Sequence, residues 1–372
     1  MRVVIFCHSL VSDWNHGNAH FLRGVCSELA ARGHSVAVYE PRDAWSRMNL
    51  QAEHGEPALA AFARAYPELR SRFYDEATLD LDEALDGADL VLMHEWNSHA
   101  LVRRVGLHRR ANRHYRLLFH DTHHRSVTDA PDMARYDLSD YDGVLAFGNV
   151  IRDLYRARGW ARQAWTWHEA ADVRRFHPID GLAREGDLVW IGNWGDDERE
   201  AELGEFLLEP VRQLQLRARI HGVRYPAHAL ERLQRAGIGY GGWLPNHEAP
   251  RVFARYAVTV HVPRRPYARA LPGIPTIRMF EALACGIPLV SAPWDDAEGL
   301  FHPGRDYLVA ADGRAMKRHL RALLADPEAR RELSANGRRT VLARHTCSHR
   351  VDELLGILAE LQPAAHAAPS IA

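Results

Sequence analysis

Glu281 is the one acidic residue in the run Pro272-Gly273-Ile274-Pro275-Thr276-Ile277-Arg278-Met279-Phe280-Glu281-Ala282-Leu283-Ala284-Cys285-Gly286-Ile287-Pro288-Leu289-Val290-Ser291. The order of residue types reads as a Gly/Pro loop, a short helix, a glycine stop and a buried strand. A carboxylate inside so apolar a helix turn is costly to bury unless donors reach it. The two vicinal hydroxyls of a ribose would supply such donors, which makes Glu281 a candidate nucleotide-sugar contact. Arg278, at i−3, would satisfy it equally well from within the chain. The residues alone leave both readings open.

Three further constellations carry chemistry. Asp13-Trp14-Asn15-His16-Gly17-Asn18 gathers polar groups just after an apolar run. Gly17 permits close backbone approach and the next helix offers free N–H groups, so Asp13 and His16 are candidates to orient or deprotonate an acceptor hydroxyl. His120-Asp121-Thr122-His123-His124-Arg125 is the densest ionisable cluster in a chain with 23 histidines. Its spacing matches no common zinc pattern, so no metal site is predicted, and His120 is read as a hydrogen-bond partner of a sugar. His123, His124 and Arg125 would reach an acceptor or a phosphate, or face solvent.

Phosphate chemistry without a metal needs cations and backbone donors. Gly192, Asn193 and Arg199 offer a strand end followed by a guanidinium suited to bidentate contact. A solvated helix charge beside Asp196, Asp197 and Glu198 is the alternative for Arg199. Pro275, Thr276, Ile277 and Arg278 form the loop entering the Glu281 helix, where the residues after Pro275 offer N–H groups. Trp96, Trp194 and Trp243 follow strand ends, where an indole stacks on a sugar or fills a core.

These residues need elements to hold them. Val3–Cys7 reads as a strand, Ala19–Arg32 as a helix stopped by Gly33, and Ser35–Tyr39 as a second strand, a right-handed βαβ unit. Strands follow at Leu90–His94, Tyr115–His120, Gly143–Phe147 and Ala164–Trp167, with helical stretches between most of them. Arg174–Asp187 is turn-rich and reads as a linker. A second alternation has strands at Leu188–Gly192, Arg219–Gly222, Ile238–Trp243, Ala257–Val262 and Leu289–Ser291. Arg199–Arg217 reads as largely helical, and helices at Ala315–Ala325, Pro327–Arg344 and Ser348–Leu361 close the chain, with Pro363 onward expected to fray. Each alternation predicts a doubly wound sheet that binds ligands at its strands' carboxyl ends.

Bulk properties narrow the class. At 372 residues the chain is long enough for two or three domains, and 47% hydrophobic content supports two cores. Near-equal counts of 47 basic and 48 acidic residues give no support to nucleic-acid or membrane-surface binding. Four scattered cysteines, no signal-peptide core and no run of transmembrane length lead to the expectation of a cytoplasmic protein. No GxGxxG opens the first helix, and Gly237-Ile238-Gly239-Tyr240-Gly241-Gly242 sits at a strand end, so a dinucleotide fingerprint is absent.

Taken together the segments resemble GT-B glycosyltransferases of the retaining "glycosyl transferases group 1" type and their CgeB-like relatives, over nearly the whole chain. Phe280-Glu281-Ala282-Leu283-Ala284-Cys285-Gly286-Ile287-Pro288 is similar to that family's EAxACGxPV signature, whose Glu binds the nucleotide ribose. Arg32-Gly33-His34-Ser35-Val36 resembles the "RGHxV" strand entry. Asp89-Leu90-Val91-Leu92-Met93-His94 looks like its "DVVHxH" strand, and Leu117-Leu118-Phe119-His120-Asp121 the strand ending beside the donor sugar. His168-Glu169-Ala170-Ala171-Asp172-Val173 stands where relatives carry an "NGVDxxxFxP" hinge. The chain departs from the pattern at Gly273, where the wider group has a Glu that touches the donor sugar, and at Asn193, where relatives often carry Arg; Arg199 takes a Lys place.

The resemblance implies two Rossmann-like domains facing a central cleft. They would be an acceptor-side domain over 1–173 and a nucleotide-sugar domain over 174–345. Residues 346–372 would form a helix and tail crossing back to the first domain. It implies transfer of a sugar from a nucleotide-diphosphate sugar, a UDP-sugar first, to a hydroxyl-bearing acceptor. No cofactor or metal would be needed, and the two domains would close about a hinge near His168–Pro178. A nucleotide-sugar epimerase of the same fold and a catalytically silent sugar-binding scaffold are the alternatives.

Overall fold

Strand β1 (Arg2–Phe6) is apolar beyond its first residue, as expected of a parallel strand covered on both faces. A computed structural model, which describes residues 1–361, sets it inside a seven-stranded parallel sheet, third from one edge. The other strands are β2 (Ser35–Pro41), β3 (Ser71–Tyr74), β4 (Leu90–His94), β5 (Arg116–Asp121), β6 (Gly143–Ala146) and β7 (Ala164–Thr166). Their order is β3-β2-β1-β4-β5-β6-β7, with Ile5 in register with Val38 on one side and Leu92 on the other. The chain therefore winds outward from β1 in one direction, then returns and winds outward in the other.

The second sheet repeats this logic with six parallel strands. These are β8 (Gly186–Ile191), β9 (Ala218–His221), β10 (Ile238–Tyr240), β11 (Tyr256–His261), β12 (Leu289–Ser291) and β13 (Leu308–Val309), in the order β10-β9-β8-β11-β12-β13. Thr259 of β11 pairs with Val189 of β8 and Leu289 of β12. The winding direction reverses between β1 and β4 and again between β8 and β11. At such a reversal the loops leave in opposite directions and open a crevice at the strands' carboxyl ends. The two crevices face each other. This is the GT-B arrangement of two α/β Rossmann-like sheets.

The helix Ala19–Ala31 is buried at every position from Ala19 to Leu29, far more than an amphipathic surface helix allows. The reason is a second layer: the last helix, Cys347–Leu361, returns from the second sheet and lies against it. Gly24 makes the approach possible, because a Cβ there would sit 2.4 Å from the Cys347 sulfur. Arg32 ties the pair at its end, donating to Asp352 and Ser348. The two crossings between sheets also bond to each other, with Ala171 N–H donating to the His345 carbonyl and Cys347 N–H to that of Ala171.

Several sequence expectations shift. The linker expected over 174–187 ends earlier, since β8 begins at Gly186. Strand β10 stops at Tyr240 rather than Trp243. The stretch expected to be largely helical over 199–217 is continuously helical from Glu200 to Leu214, with a π-helical turn at Gly204–Leu208 between Glu200–Leu203 and Glu209–Leu214. Pro210 has no N–H to continue a regular ladder at that point. Strands β3 and β13 were not expected at all. The tail expected from Pro363 onward lies outside the described residues.

Candidate functional site

A cavity of about 530 Å³ lies between the facing crevices. The loops after β1, β4 and β5 line it from the first sheet, and those after β8, β9 and β11 and the start of the helix Ile277–Ala284 line it from the second.

On the first wall stand Asp13, His16, Gly17, Asn18, Trp45, Trp96, His123, His124 and Glu169. Asp13 does not have the freedom expected of a proton acceptor. One of its oxygens pairs with Arg23 at 2.8 Å and accepts from the Asn246 N–H at 3.0 Å, and the other accepts from Trp243 Nε1 at 2.9 Å. It is a pin between the two sheets' loops, and the base role is not carried forward. His16 does line the cavity, is 6% exposed, and has no partner for Nε2. Burial, then the nearby His8 and Arg23, hold its pKa well below the ordinary histidine range.

His120 departs from expectation. Strand β5 runs on to Asp121, so His120 is not the strand tip but part of the sheet. Its ring packs against Trp167 at 4.8 Å, His94 at 5.4 Å and Phe21 at 5.9 Å, beneath the cavity rather than in its lining. Burial drives its pKa to about 3. The lining positions go instead to Thr122, His123 and His124 just after it. His124 Nδ1 bonds the Thr128 hydroxyl at 2.7 Å, while His124 Nε2 and His123 Nδ1 have no partner. Burial lowers His124 to about 4.

Glu169, on the segment crossing between sheets, was missed as a site residue. Its Oε1 accepts from Asn18 Nδ2 at 2.8 Å, and burial pushes its pKa up to about 8. The signal available in the sequence was an acid where the resembled hinge carries none.

The second wall is cationic. Arg199, Arg224, Arg264 and Arg278 all line it, whereas among the described residues no Lys or Arg lines the first. Arg199 lies over the Trp190 ring at 5.0 Å and donates to the carbonyls of Val262 (3.0 Å), Trp194 (3.4 Å) and Asn193. Burial, with Arg264 adding to it, lowers its pKa to about 9. Gly192 and Asn193 line the cavity, and Asn193 bonds across it to Asn15. Arg224 and Arg264 were not singled out from sequence, since neither falls in a motif.

Of the helix-opening residues, Thr276, Ile277 and Arg278 line the cavity, but Pro275 is buried behind them. Glu281 is fully buried and lies one layer back. Arg278 pairs with one of its oxygens, and the other accepts from Asn246 Nδ2 at 2.7 Å with His20 Nδ1 at 3.5 Å. The internal partner considered for Glu281 is thus present, and Arg278 presents the cavity face. Among the tryptophans, Trp96 and Trp243 line the cavity while Trp194 is core.

Gly273 has φ +85°, and a Cβ there would fall 2.3 Å from Glu298 Cγ. Glu298 in turn accepts from the Asn149 N–H at 2.7 Å and pairs with His168 at 3.0 Å. The position where the resembled group has a carboxylate is therefore closed by the stem of another one, spent on joining the two sheets.

Residues 199–356 match the family model "Glycosyl transferase-like". No curated protein matches the chain in sequence. Solved structures share the fold. Sucrose-phosphate synthase from Thermosynechococcus elongatus superposes with a TM-score of 0.62 at 16% identity, covering 97% of this chain and 100% of that one. Anabaena HepE in complex with UDP-glucose gives 0.65 at 12%, covering 97% and 100%. T4 phage BGT with its UDP-glucose substrate gives 0.59 at 12%, again covering 97% and 100%. The family match and the shared GT-B fold support a glycosyltransferase. Among the described residues no helix is long and apolar enough to cross a membrane, and no cluster of His, Cys, Asp or Glu could hold a metal ion.

Proposed function

We propose that this chain moves a sugar from a nucleotide-diphosphate sugar, a UDP-sugar first, to an acceptor hydroxyl, as a retaining, metal-independent cytoplasmic enzyme of the group 1, CgeB-like kind. Residues 174–345 would hold the donor and residues 1–173 the acceptor. The observation that carries this reading is the charge of the second wall. Four arginines converge beside the start of the Glu281 helix, where a diphosphate leaving group needs its developing charge neutralised.

On donor binding Arg278 exchanges the Glu281 carboxylate for the diphosphate, and the freed oxygen accepts from a ribose hydroxyl. Retention is favoured by the absence of a free carboxylate base on the first wall: Asp13 carries three donors, and burial keeps the proton on Glu169 at neutral pH. The departing phosphate then takes the acceptor's proton. UDP- and GDP-sugars titrated calorimetrically in EDTA test the donor site, with UDP-sugar expected to bind. Incubation of the bound sugar with and without acceptor, followed by NMR of the anomeric proton, separates transfer from epimerisation. An epimer formed without acceptor would sink the transferase reading.

A further inference from the structure

We propose that the first wall is an acceptor site for an uncharged saccharide, which it recognises by hydroxyl groups and not by charge. This rests on the transferase reading of the cleft. His16 Nε2, Asn18 Oδ1, His123 Nδ1 and His124 Nε2 are buried polar atoms without a partner among the described residues, and all four residues line this one wall. A buried polar atom left unpaired is destabilising, so four together mark where a ligand's polar atoms belong. His16 and His124 are 6% and 7% exposed, so their rings are fixed by packing and not by solvent.

The chemistry of these atoms selects the ligand. An unprotonated imidazole offers a donor or an acceptor at a given nitrogen according to its tautomer. A hydroxyl both donates and accepts and matches either case, and it can donate to Asn18 Oδ1 as well. A phosphate or carboxylate only accepts, leaves Asn18 Oδ1 unmet, and finds no Lys or Arg in this wall's lining. An ammonium only donates, and finds Asp13 already holding three donors. Burial keeps His16 and His124 neutral, helped by Arg23 near His16 and by Arg264 and Arg125 near His124. Trp45 and Trp96 line the same wall and offer indole surface to the C–H face of a sugar ring.

A glycan array carrying neutral, sialylated, sulfated and phosphorylated oligosaccharides, probed with the full chain with and without UDP, tests this. Binding confined to neutral glycans is expected. His16→Ala and His124→Ala should weaken it tenfold or more while the calorimetric affinity for UDP stays within twofold. Preference for the acidic glycans, or no neutral glycan bound by a parent protein that does bind UDP, overturns the inference and leaves the transferase reading standing. Neutral glycans bound through His16 and His124 without any UDP affinity would uphold the site and overturn the transferase reading. The parent's selectivity decides the matter even where a variant fails to fold.

Discussion

The two walls of the cleft solve opposite problems with similar economy. The second wall gathers four arginines and pays for their proximity with backbone carbonyls and aromatic faces, as at Arg199. Among the described residues the first wall has no Lys or Arg in its lining and is made of histidines, two asparagines and two carboxyls, the carboxyls held uncharged or pinned. Charge suits a diphosphate, whose recognition gains from ionised donors. Neutral, two-way hydrogen-bonding groups suit hydroxyls. The difference teaches that the same crevice geometry, built twice from the same winding reversal, takes its chemistry from how deeply each ionisable side chain is buried and what stands beside it.

The contrast can be broken most severely at Arg278. Arg278→Ala leaves the fully buried Glu281 carboxylate without its cation, and should lower the unfolding free energy by about 3–5 kcal/mol. Adding Glu281→Gln should recover much of that in denaturant titrations while UDP affinity stays lost; equal stability of parent and Arg278→Ala would refute the pairing. Arg264→Ala removes a lining cation whose ionic contact is Glu198, at 3.4 Å, near the rim. It should cost about 1.5–3 kcal/mol of UDP binding, the range for hydrogen bonds to charged groups, with neutral-glycan binding unaffected. A parallel loss of both ligands would show that the walls are not separate.

The smallest effect sharpens the first wall. Glu169 holds its proton to about pH 8 in the fold, against roughly 4.3 in an unfolded chain. Between those values the folded state binds more protons than the unfolded one, so stability falls as pH rises through that window. Glu169→Gln keeps the acceptor for Asn18 and removes the titration. Relative to the parent it should gain unfolding free energy as pH rises from 5 toward 8, and level off above that. A gap that stays constant with pH would mean that Glu169 is ionised throughout.

Much of the fold was legible because parallel strands covered on both faces are written as unbroken apolar runs, as in β1, β4 and β11. Strand β3, Ser-Arg-Phe-Tyr at a sheet edge, carries no such run, and β13 is only two residues long. The site was legible by segment and not by residue. Arg199, Arg278, His16 and Gly17 were placed in the cavity by motif and loop position. His120 and Pro275 were misplaced by one layer, because one more residue of strand or one turn of loop decides which side chain faces out. Arg224, Arg264 and Glu169 escaped notice because loop charges that no motif names acquire meaning only when distant loops converge. The neutrality of the histidines has no local signature at all, since burial creates it.

The return of the last helix onto the first sets the order in which this protein can be made. Strands β1–β7 leave the ribosome first, yet the outer face of Ala19–Ala31 has no cover until Cys347–Leu361 has been synthesised. The last helix in turn buries Val351, Leu354, Ile357 and Leu358 only by docking there. The amino-terminal half therefore waits, incomplete, through translation of the entire second sheet. Truncation before residue 347 would leave that apolar stripe uncovered for chaperones and proteases to find.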